Sequence, residues 1–281
     1  MTKQFRMRFP EGKMKTFTMS YDDGVEQDIR LIELMRRHGV KGTFNLSSGE
    51  YPPEGHKWPE GQVHRRMPLS ECQDLYVGDD IEIAIHGTHH PHWNSQPAPL
   101  AMWDVINDRR ELEAQYGRIV RGGAYPFGSF NDTAVEILRL AGIKYCRTVI
   151  SSHSFDMPRD WLRLEATCHH RDERLNELAD RFISLNRPQA EPMMFYLWGH
   201  AYEFEGANNW YVIEALLEKM GGRDDIWYAT NIEICDYAEA FGRLYFSADG
   251  NLVHNPTAID IWGTDGEKTV KIPSGGTVSL K

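Results

Sequence analysis

From residue 15 to about residue 245 the hydrophobic and polar positions switch repeatedly between a period of two and a period near 3.6. Lys15 to Ser20 alternates and is rich in β-branched and aromatic residues, which predicts a strand. A loop follows, then a helical stretch from Asp28 to His38 with Ile29, Ile32 and Leu34/Met35 on one face and Gly39 as its stop. Lys41 to Leu46 predicts a second strand, and the apolar run Ile81 to Ile85 predicts a strand buried on both faces. Between them, Ser70-Glu71-Cys72-Gln73 has the form of a capping box that opens a helix. Leu100 to Tyr116 predicts a long helix ended by Gly117. Further strand signals fall near Ala124, at Tyr145 to Ile150, around Leu162, at Met193 to Trp198 and at Ile226 to Tyr228. Helices fit between several of these, at Thr133 to Ala141, Arg171 to Leu185, Asn209 to Met220 and Ile232 to Leu244. Seven or eight strand–helix units in succession predict a closed or nearly closed parallel α/β barrel.

Two segments break the rhythm. Ser48 to Pro68 is rich in Gly, Pro and His and too long for a plain connection, so it is expected to lie over one barrel face. Beyond Phe246 the pattern becomes short and Gly-punctuated, which predicts a small β appendage. The expected division is a barrel over residues 1–245 and the appendage over 246–281.

Composition narrows the function classes. A chain of 281 residues with 41% apolar content can bury one large core without disulfides, and is neither collagenous nor disordered. Lys and Arg total 31 against 41 Asp and Glu, so the net charge of 31 − 41 = −10 speaks against nucleic acid or an anionic membrane surface as a partner. The 8 Trp, 12 Tyr and 12 Phe suit both a large core and the stacking faces of a sugar-binding groove. Cys72, Cys146, Cys168 and Cys235 are widely spaced and read as buried free thiols. Met1 to Pro10 has no apolar leader and no run of ~18 apolar residues occurs, so the expected compartment is the cytoplasm, or the periplasm or exterior if the chain is trimmed from a longer precursor.

The unusual residues sit at the C-terminal ends of the predicted strands. Asp22-Asp23-Gly24 follows the first, His86 follows Ile85, Tyr125-Pro126-Phe127-Gly128 follows Ala124, and His200 follows Trp198. In a parallel barrel those ends gather on one face, so these groups are expected to converge on one cleft. Adjacent carboxylates repel unless a cation or hydrogen-bond donors stabilise them, which makes Asp22-Asp23 either a solvated turn or part of a site. His86-Gly87-Thr88-His89-His90-Pro91 cannot continue a regular helix, and a turn there would bring His86 and His90 together. Two imidazoles and one carboxylate form a ligand set that leaves positions open on a divalent ion.

With these motifs in this order, the sequence resembles the polysaccharide deacetylase family, metal-dependent hydrolases of the carbohydrate esterase family 4 type with a NodB-like homology domain. The resemblance spans roughly residues 14 to 240 and implies an α/β fold, a distorted (β/α)7 TIM-like barrel. The first family motif, Thr-Phe-Asp-Asp-Gly, matches Ser20 to Gly24, and the second, His-(Ser/Thr)-x-x-His, matches His86 to His90 with Gly87 in place of the hydroxyl residue. By that match Asp22 is the catalytic base, and Asp23, His86 and His90 are the metal ligands, for zinc or alternatively cobalt, nickel or iron. The third motif, Arg-x-Pro-Tyr-Gly, matches Ala124 to Gly128 in part, with Phe127 at the position whose backbone N–H stabilises an oxyanion and Tyr125 and Phe127 as substrate contacts. Ala124 replaces the expected Arg, and Arg147, with Arg121 second, is the substitute to partner Asp22, or else it only pairs an acid at the barrel end. Asp156 to Trp161 resembles the fourth motif, which makes Trp161 a groove or core residue. Leu197 to His200 resembles the fifth with one residue inserted, so His200 is the general acid and Glu203 its neighbour, while His169 and His170 receive no role.

The resemblance implies hydrolysis of an acetyl group from an N- or O-acetylated carbohydrate by metal-activated water. Two alternatives stay open: the same centre acting on another non-peptide C–N bond, such as a cyclic amide or imide, and a vestigial carbohydrate-binding protein. Retention of both Asp22 and His200 argues against the last. The expected partner is a carbohydrate or small amide, with a homo-oligomer compatible with the sequence.

Overall fold

The computed structural model describes residues 4–186 and 189–281. After a short strand β1 (Arg6–Arg8), the parallel strands are β2 (Lys15–Asp22), β3 (Gly42–Leu46), β4 (Ile81–Ile85), β5 (Gly122–Ala124), β6 (Tyr145–Ser151), β7 (Leu164–Ala166), β8 (Cys168–His169), β9 (Met193–Gly199) and β10 (Ile226–Tyr228). Their order is β7-β6-β5-β4-β3-β2-β9-β8, with β10 alongside β2. Thr167 alone separates β7 from β8. Its N–H donates to the Tyr196 carbonyl at 2.9 Å and its carbonyl accepts from His153 N–H at 3.0 Å. Residues 164–169 therefore act as one interrupted stave that touches β6 on one side and β9 on the other, and the sheet comes round as a distorted barrel of seven staves. β10 pairs only with Lys15 to Phe17, below the point where β3 joins β2 at Met19.

The alternation within β2 explains how the site is aimed. Phe17, Met19 and Tyr21 enter the main apolar core with the surrounding helices. Thr16, Thr18, Ser20 and Asp22 take the other face and bond to Trp227, Asn231, Asn45 and Arg147 across the barrel interior. That parity places the Asp22 carboxylate inside the barrel mouth.

The helices are α1 (Asp28–Arg37), α2 (Leu69–Leu75), α3 (Ala98–Tyr116), α4 (Asp132–Leu140), α5 (Leu175–Ser184), α6 (Tyr202–Gly206), α7 (Tyr211–Met220) and α8 (Asn231–Gly242). Three sequence expectations need correction. Ile29 is 43% exposed, because the buried stripe of α1 consists of Leu31, Ile32, Leu34 and Met35. Ser70 is not a cap; it lies inside α2 after N-cap Pro68, and its N–H and hydroxyl both bond Glu54, whereas a true capping box joins Thr230 and Glu233 at the start of α8. The strand expected around Leu162 begins at Leu164, since Trp161–Arg163 form a 3-10 turn.

The appendage consists of β11 (Tyr245–Phe246), β12 (Leu252–His254), β13 (Ile261–Thr264), β14 (Thr269–Ile272) and β15 (Thr277–Ser279). They form two antiparallel sheets, β11-β12-β15 and β1-β13-β14, so the N-terminal strand completes a sheet of the C-terminal segment. Met7, Phe9, Ile261 and Ile272 share an apolar cluster with Tyr145, Leu164 and Met194, which lie at or next to the starts of barrel strands. The appendage thus packs at the N-terminal end of the barrel and leaves the opposite mouth open. All four cysteines are buried and free, and among the described residues no helix is long and apolar enough to cross a membrane.

Candidate active site

At the C-terminal mouth, Asp22 closes β2 with its side chain almost fully buried. One carboxylate oxygen accepts from Asn45 Nδ2 at 2.8 Å, and the other accepts from Arg147 Nη2. His200 Nε2 stands 3.7 Å and His86 Nε2 3.8 Å from that second oxygen. Burial works to raise the Asp22 pKa, but Arg147, His86 and His200 outweigh it and hold the group below its ordinary range. Arg147 is itself fully buried and lies 4.2 Å over the Trp198 ring, a cation–π contact that fixes its guanidinium. Arg121, the second choice for this partner, forms a two-pronged pair with Asp236 of α8 at 2.7 and 2.6 Å instead.

Asp23, His86 and His90 each present one ligand atom within 4.8 Å of the other two. The tautomer of His86 follows from its neighbour. Its Nδ1 lies 2.9 Å from the Ala124 carbonyl, which can only accept, so Nδ1 carries the proton and Nε2 offers its lone pair toward the site. His90 Nε2 lies 3.1 Å from that atom, close to the spacing of two imidazoles on one divalent ion with ~2.0–2.1 Å bonds. Burial and the neighbouring His86 lower the His90 pKa to about 4, which keeps it neutral and able to ligate at pH 7. Asp23 is held well below its ordinary range: burial works against this, and His64, His86 and Arg66 prevail. The three groups fit a divalent ion.

Local backbone chemistry builds this cluster. Asp23, His90 and Phe127 are three of the six non-glycine residues with positive φ among the described residues. Each such conformation costs on the order of 1–3 kcal/mol and persists where surrounding contacts enforce it. Gly87 has φ +77, and a Cβ there would come within 2.6 Å of Pro91 Cδ and 3.1 Å of Asp104 Oδ2, which explains the glycine where the family motif has a hydroxyl residue. Two acids one turn apart on α3 hold the loop. Asp108 accepts from the N–H groups of Ser48 and His86 at 2.8 and 3.0 Å, and Asp104 accepts from Thr88 N–H at 3.2 Å and Trp93 Nε1 at 2.7 Å. Burial pushes the Asp108 carboxyl up to about 7 in spite of those donors. Neither acid, nor Asn45, was singled out in the sequence; a polar residue at an otherwise apolar strand or helix position was their only signal.

The third motif divides. Phe127 is 57% exposed at the rim, stacked on His92 at 3.9 Å and edge-on to His90 at 4.3 Å. Tyr125 does not face the cleft. It is 1% exposed, packs on Phe130, and donates its hydroxyl to the Leu162 carbonyl at 2.8 Å, so it is a core residue and the expected substrate contact is corrected. Trp161 is half-buried and packs against the cluster that contains Tyr196 and Trp198.

His200 bridges two acids, with Nε2 toward Asp22 and Nδ1 3.8 Å from Glu203 Oε1. Burial works to lower its pKa; Glu203, Asp22 and Asp23 outweigh it and leave it above the ordinary 6.5. Glu203 is a hub. Its Oε2 lies 3.2 Å from His169 Nε2 and 3.0 Å from His170 Nε2, and Arg171 stands 3.6 Å from Oε1. Arg171 N–H donates to His169 Nδ1 at 3.1 Å, so Nε2 of that ring carries the proton toward the Glu203 carboxylate and has no lone pair for a metal. The two histidines without an expected role therefore buttress the acid beside His200. The loop from Ser48 to Pro68 also reaches the site, with Arg66 Nη2 2.9 Å and His64 Nε2 3.2 Å from the Asp23 carboxylate.

Residues 10–146, a little under half of the chain, match the family model described as polysaccharide deacetylase. A protein from Mycobacterium smegmatis assigned to the polysaccharide deacetylases is similar in fold, with a TM-score of 0.58 and 15% identity over 84% of this chain and 94% of that one. A family 4 carbohydrate esterase pseudoenzyme from Bacillus anthracis matches at a TM-score of 0.48 and 19% identity, over 82% of this chain and 68% of that one. A Streptococcus pyogenes deacetylase solved with acetate matches at a TM-score of 0.41 and 18% identity, over 47% of this chain and 55% of its own length. This chain therefore spans about half of that last relative. No curated protein matches the chain. The family model covers the first three motifs and ends before Arg147, Trp161 and His200, and the Mycobacterium protein shares the fold.

Proposed function

Starting from a polysaccharide deacetylase fold, we propose that this chain is a metal-dependent hydrolase that removes an acetyl group from an N- or O-acetylated carbohydrate. The reading is carried by one observation: Asp22, held by Asn45 and Arg147, lies between His200 and the Asp23, His86 and His90 set. A divalent ion bound by that set, zinc in our reading, supplies a Lewis acid and an acidified water. Asp22 accepts a proton at its carboxylate from the attacking water, and Arg147 keeps that carboxylate ionised beforehand. The Phe127 backbone N–H donates to the developing oxyanion, a contact worth on the order of 3 kcal/mol where such donors have been removed. His200 carries the proton that the leaving amine or alkoxide takes up, and Glu203 holds its Nδ1 side. The exposed Phe127 ring on His92 offers an apolar platform at the rim for a pyranose face.

A small amide is a second reading, favoured by His64 and Arg66, which crowd the barrel mouth beside Asp23. Acetate release from acetylated chitooligosaccharides and acetylated xylan, and ring opening of small cyclic amides followed as loss of the substrate, each with added zinc and with chelator, separate the two. Acetate release from a glycan that chelator abolishes and zinc restores is the expected result. Equal turnover by metal-stripped protein would sink the proposal.

The pH profile follows from the same groups. Activity needs Asp22 ionised, with its pKa below the ordinary 3.8, and His200 protonated, with its pKa above the ordinary 6.5. The rate is therefore expected to fall in acid as His90, at about 4, and then Asp22 take up protons, and to fall in alkali only as His200 loses its proton. An alkaline limb that persists unchanged in His200→Ala removes His200 as the proton donor.

A further inference from the structure

Residues 62–67 form a strap across the barrel mouth beside Asp23. The strap runs antiparallel to the turn that follows β2: Val25 and Arg66 form a bridge, Glu26 N–H donates to the Arg65 carbonyl at 2.8 Å, and Met67 N–H donates to the Gly24 carbonyl at 2.9 Å. Gln27 Nε2 adds a bond to the Val63 carbonyl at 2.8 Å. Three successive side chains of the strap then point to the two halves of the site. His64 Nε2 lies 3.2 Å from Asp23 Oδ2, and Arg66 Nη2 donates to Oδ1 at 2.9 Å. Arg65 takes both oxygens of Glu205 at 2.7 and 3.1 Å, and Gln27 Nε2 donates to the same carboxylate at 2.9 Å. Glu205 belongs to α6, the helix that begins just after His200.

We propose that Arg66 is a positioning residue that fixes the Asp23 carboxylate for metal binding, and that Arg65 braces the Asp23 turn against the helix following His200. The proposal rests on reading Asp23, His86 and His90 as the ligands. Asp23 has φ 84, a backbone conformation that an L residue seldom holds without outside restraint, and Arg66 on one carboxylate oxygen and His64 on the other fix how its side chain turns. Arg66 is suited to hold it because it is pinned itself: its side chain is 12% exposed, Glu50 stands 3.7 Å from its other nitrogen, and its carbonyl accepts from Trp58 Nε1 at 3.1 Å. A guanidinium beside a cation site also repels the ion, so the two effects of Arg66 have opposite signs. Its near-ideal hydrogen bond to one oxygen of a ligand resembles the outer-sphere contacts whose loss weakens metal binding, and on that ground restraint exceeds repulsion.

The test is zinc affinity of metal-stripped protein, measured by competition with a chromogenic chelator, alongside turnover at limiting and saturating zinc. Arg66→Ala is expected to bind zinc about 10- to 100-fold more weakly, with turnover restored by excess zinc. Arg66→Lys, which keeps the charge without the planar fork, falls between and serves if the alanine variant does not fold. Arg65→Ala keeps the wild-type zinc affinity and loses turnover at saturating zinc by about two- to fivefold, the scale of a partly exposed pair. Equal or tighter zinc binding by Arg66→Ala, or no restoration by zinc, overturns the role of Arg66; wild-type turnover in Arg65→Ala removes the brace. His90→Ala separates the two levels of failure. If it binds zinc as well as wild type, the ligand set itself is wrong, whereas if it alone loses zinc, only the strap proposal falls.

Discussion

Asp22→Asn is expected to lower kcat by about a thousandfold, the middle of the range for loss of a general base, while zinc affinity stays near wild type. The substitution is close to isosteric and leaves Asp23, His86 and His90 intact, so chemistry and metal binding should part company. Its cost in stability comes from Arg147. That guanidinium is fully buried, Asp22 is the carboxylate it donates to, and an amide in its place leaves a cation with a neutral partner. Turnover within tenfold of wild type, at saturating zinc, would show that another group takes the proton.

Arg147→Ala has the second largest expected effect, on stability as well as rate. Removing one member of a buried pair typically costs about 3–5 kcal/mol, because the remaining charge keeps its desolvation penalty and loses its partner. The pH dependence has a definite sign. In the native protein the Asp22 pKa is depressed, so the group contributes stability above the ordinary 3.8 that is lost as pH falls through its folded value. Without Arg147, the largest influence that lowers the Asp22 pKa is gone, burial meets only His86 and His200, and the pKa rises. The variant loses the stability that the depressed pKa contributes, so its deficit against wild type should be largest near neutrality and shrink in acid. Urea unfolding at pH 4 and pH 7 measures this; a deficit that does not change between them contradicts the pairing. Turnover is expected to fall more than substrate binding, since Arg147 acts through Asp22. Arg147→Lys should recover part of the rate, and the cycle with Asp22→Asn gives the coupling directly.

The barrel was legible because its code is local. A strand such as Lys15–Asp22 announces itself by alternation, and an apolar run such as Ile81–Ile85 by its length, whatever the rest of the chain does. Errors arose where a local pattern had a non-local competitor. Ser70 had the sequence of a cap, but Glu54 from the preceding loop takes its N–H and hydroxyl inside α2. Tyr125 lay beside a motif residue, but strand parity and packing on Phe130 turned its ring into the core while Phe127, in a left-handed conformation, stayed at the rim.

The candidate site was legible to the same extent. Asp22, Asp23, His86, His90 and His200 are chemically conspicuous at strand ends, and a parallel barrel has one face for all of them. Their supporting residues are not conspicuous. Asn45 is one polar residue in a buried strand, Asp104 and Asp108 are two acids in a long helix, and Arg66 is one of many loop cations.

The sequence by itself determined the succession of strands and helices, the parity that turns Asp22 inward, and the identity of the groups able to do chemistry. These follow from backbone hydrogen bonding and from side chains that alternate or recur within a few residues. Only the tertiary structure decided who meets whom: that residue 147 donates to residue 22, that Glu203 gathers two histidines beside His200, that the strap reaches Asp23, and that the appendage seals the far end together with Arg6–Arg8. Such contacts depend on how seven staves close into a ring and where long loops come back to it, and no period of two or 3.6 residues encodes that distance.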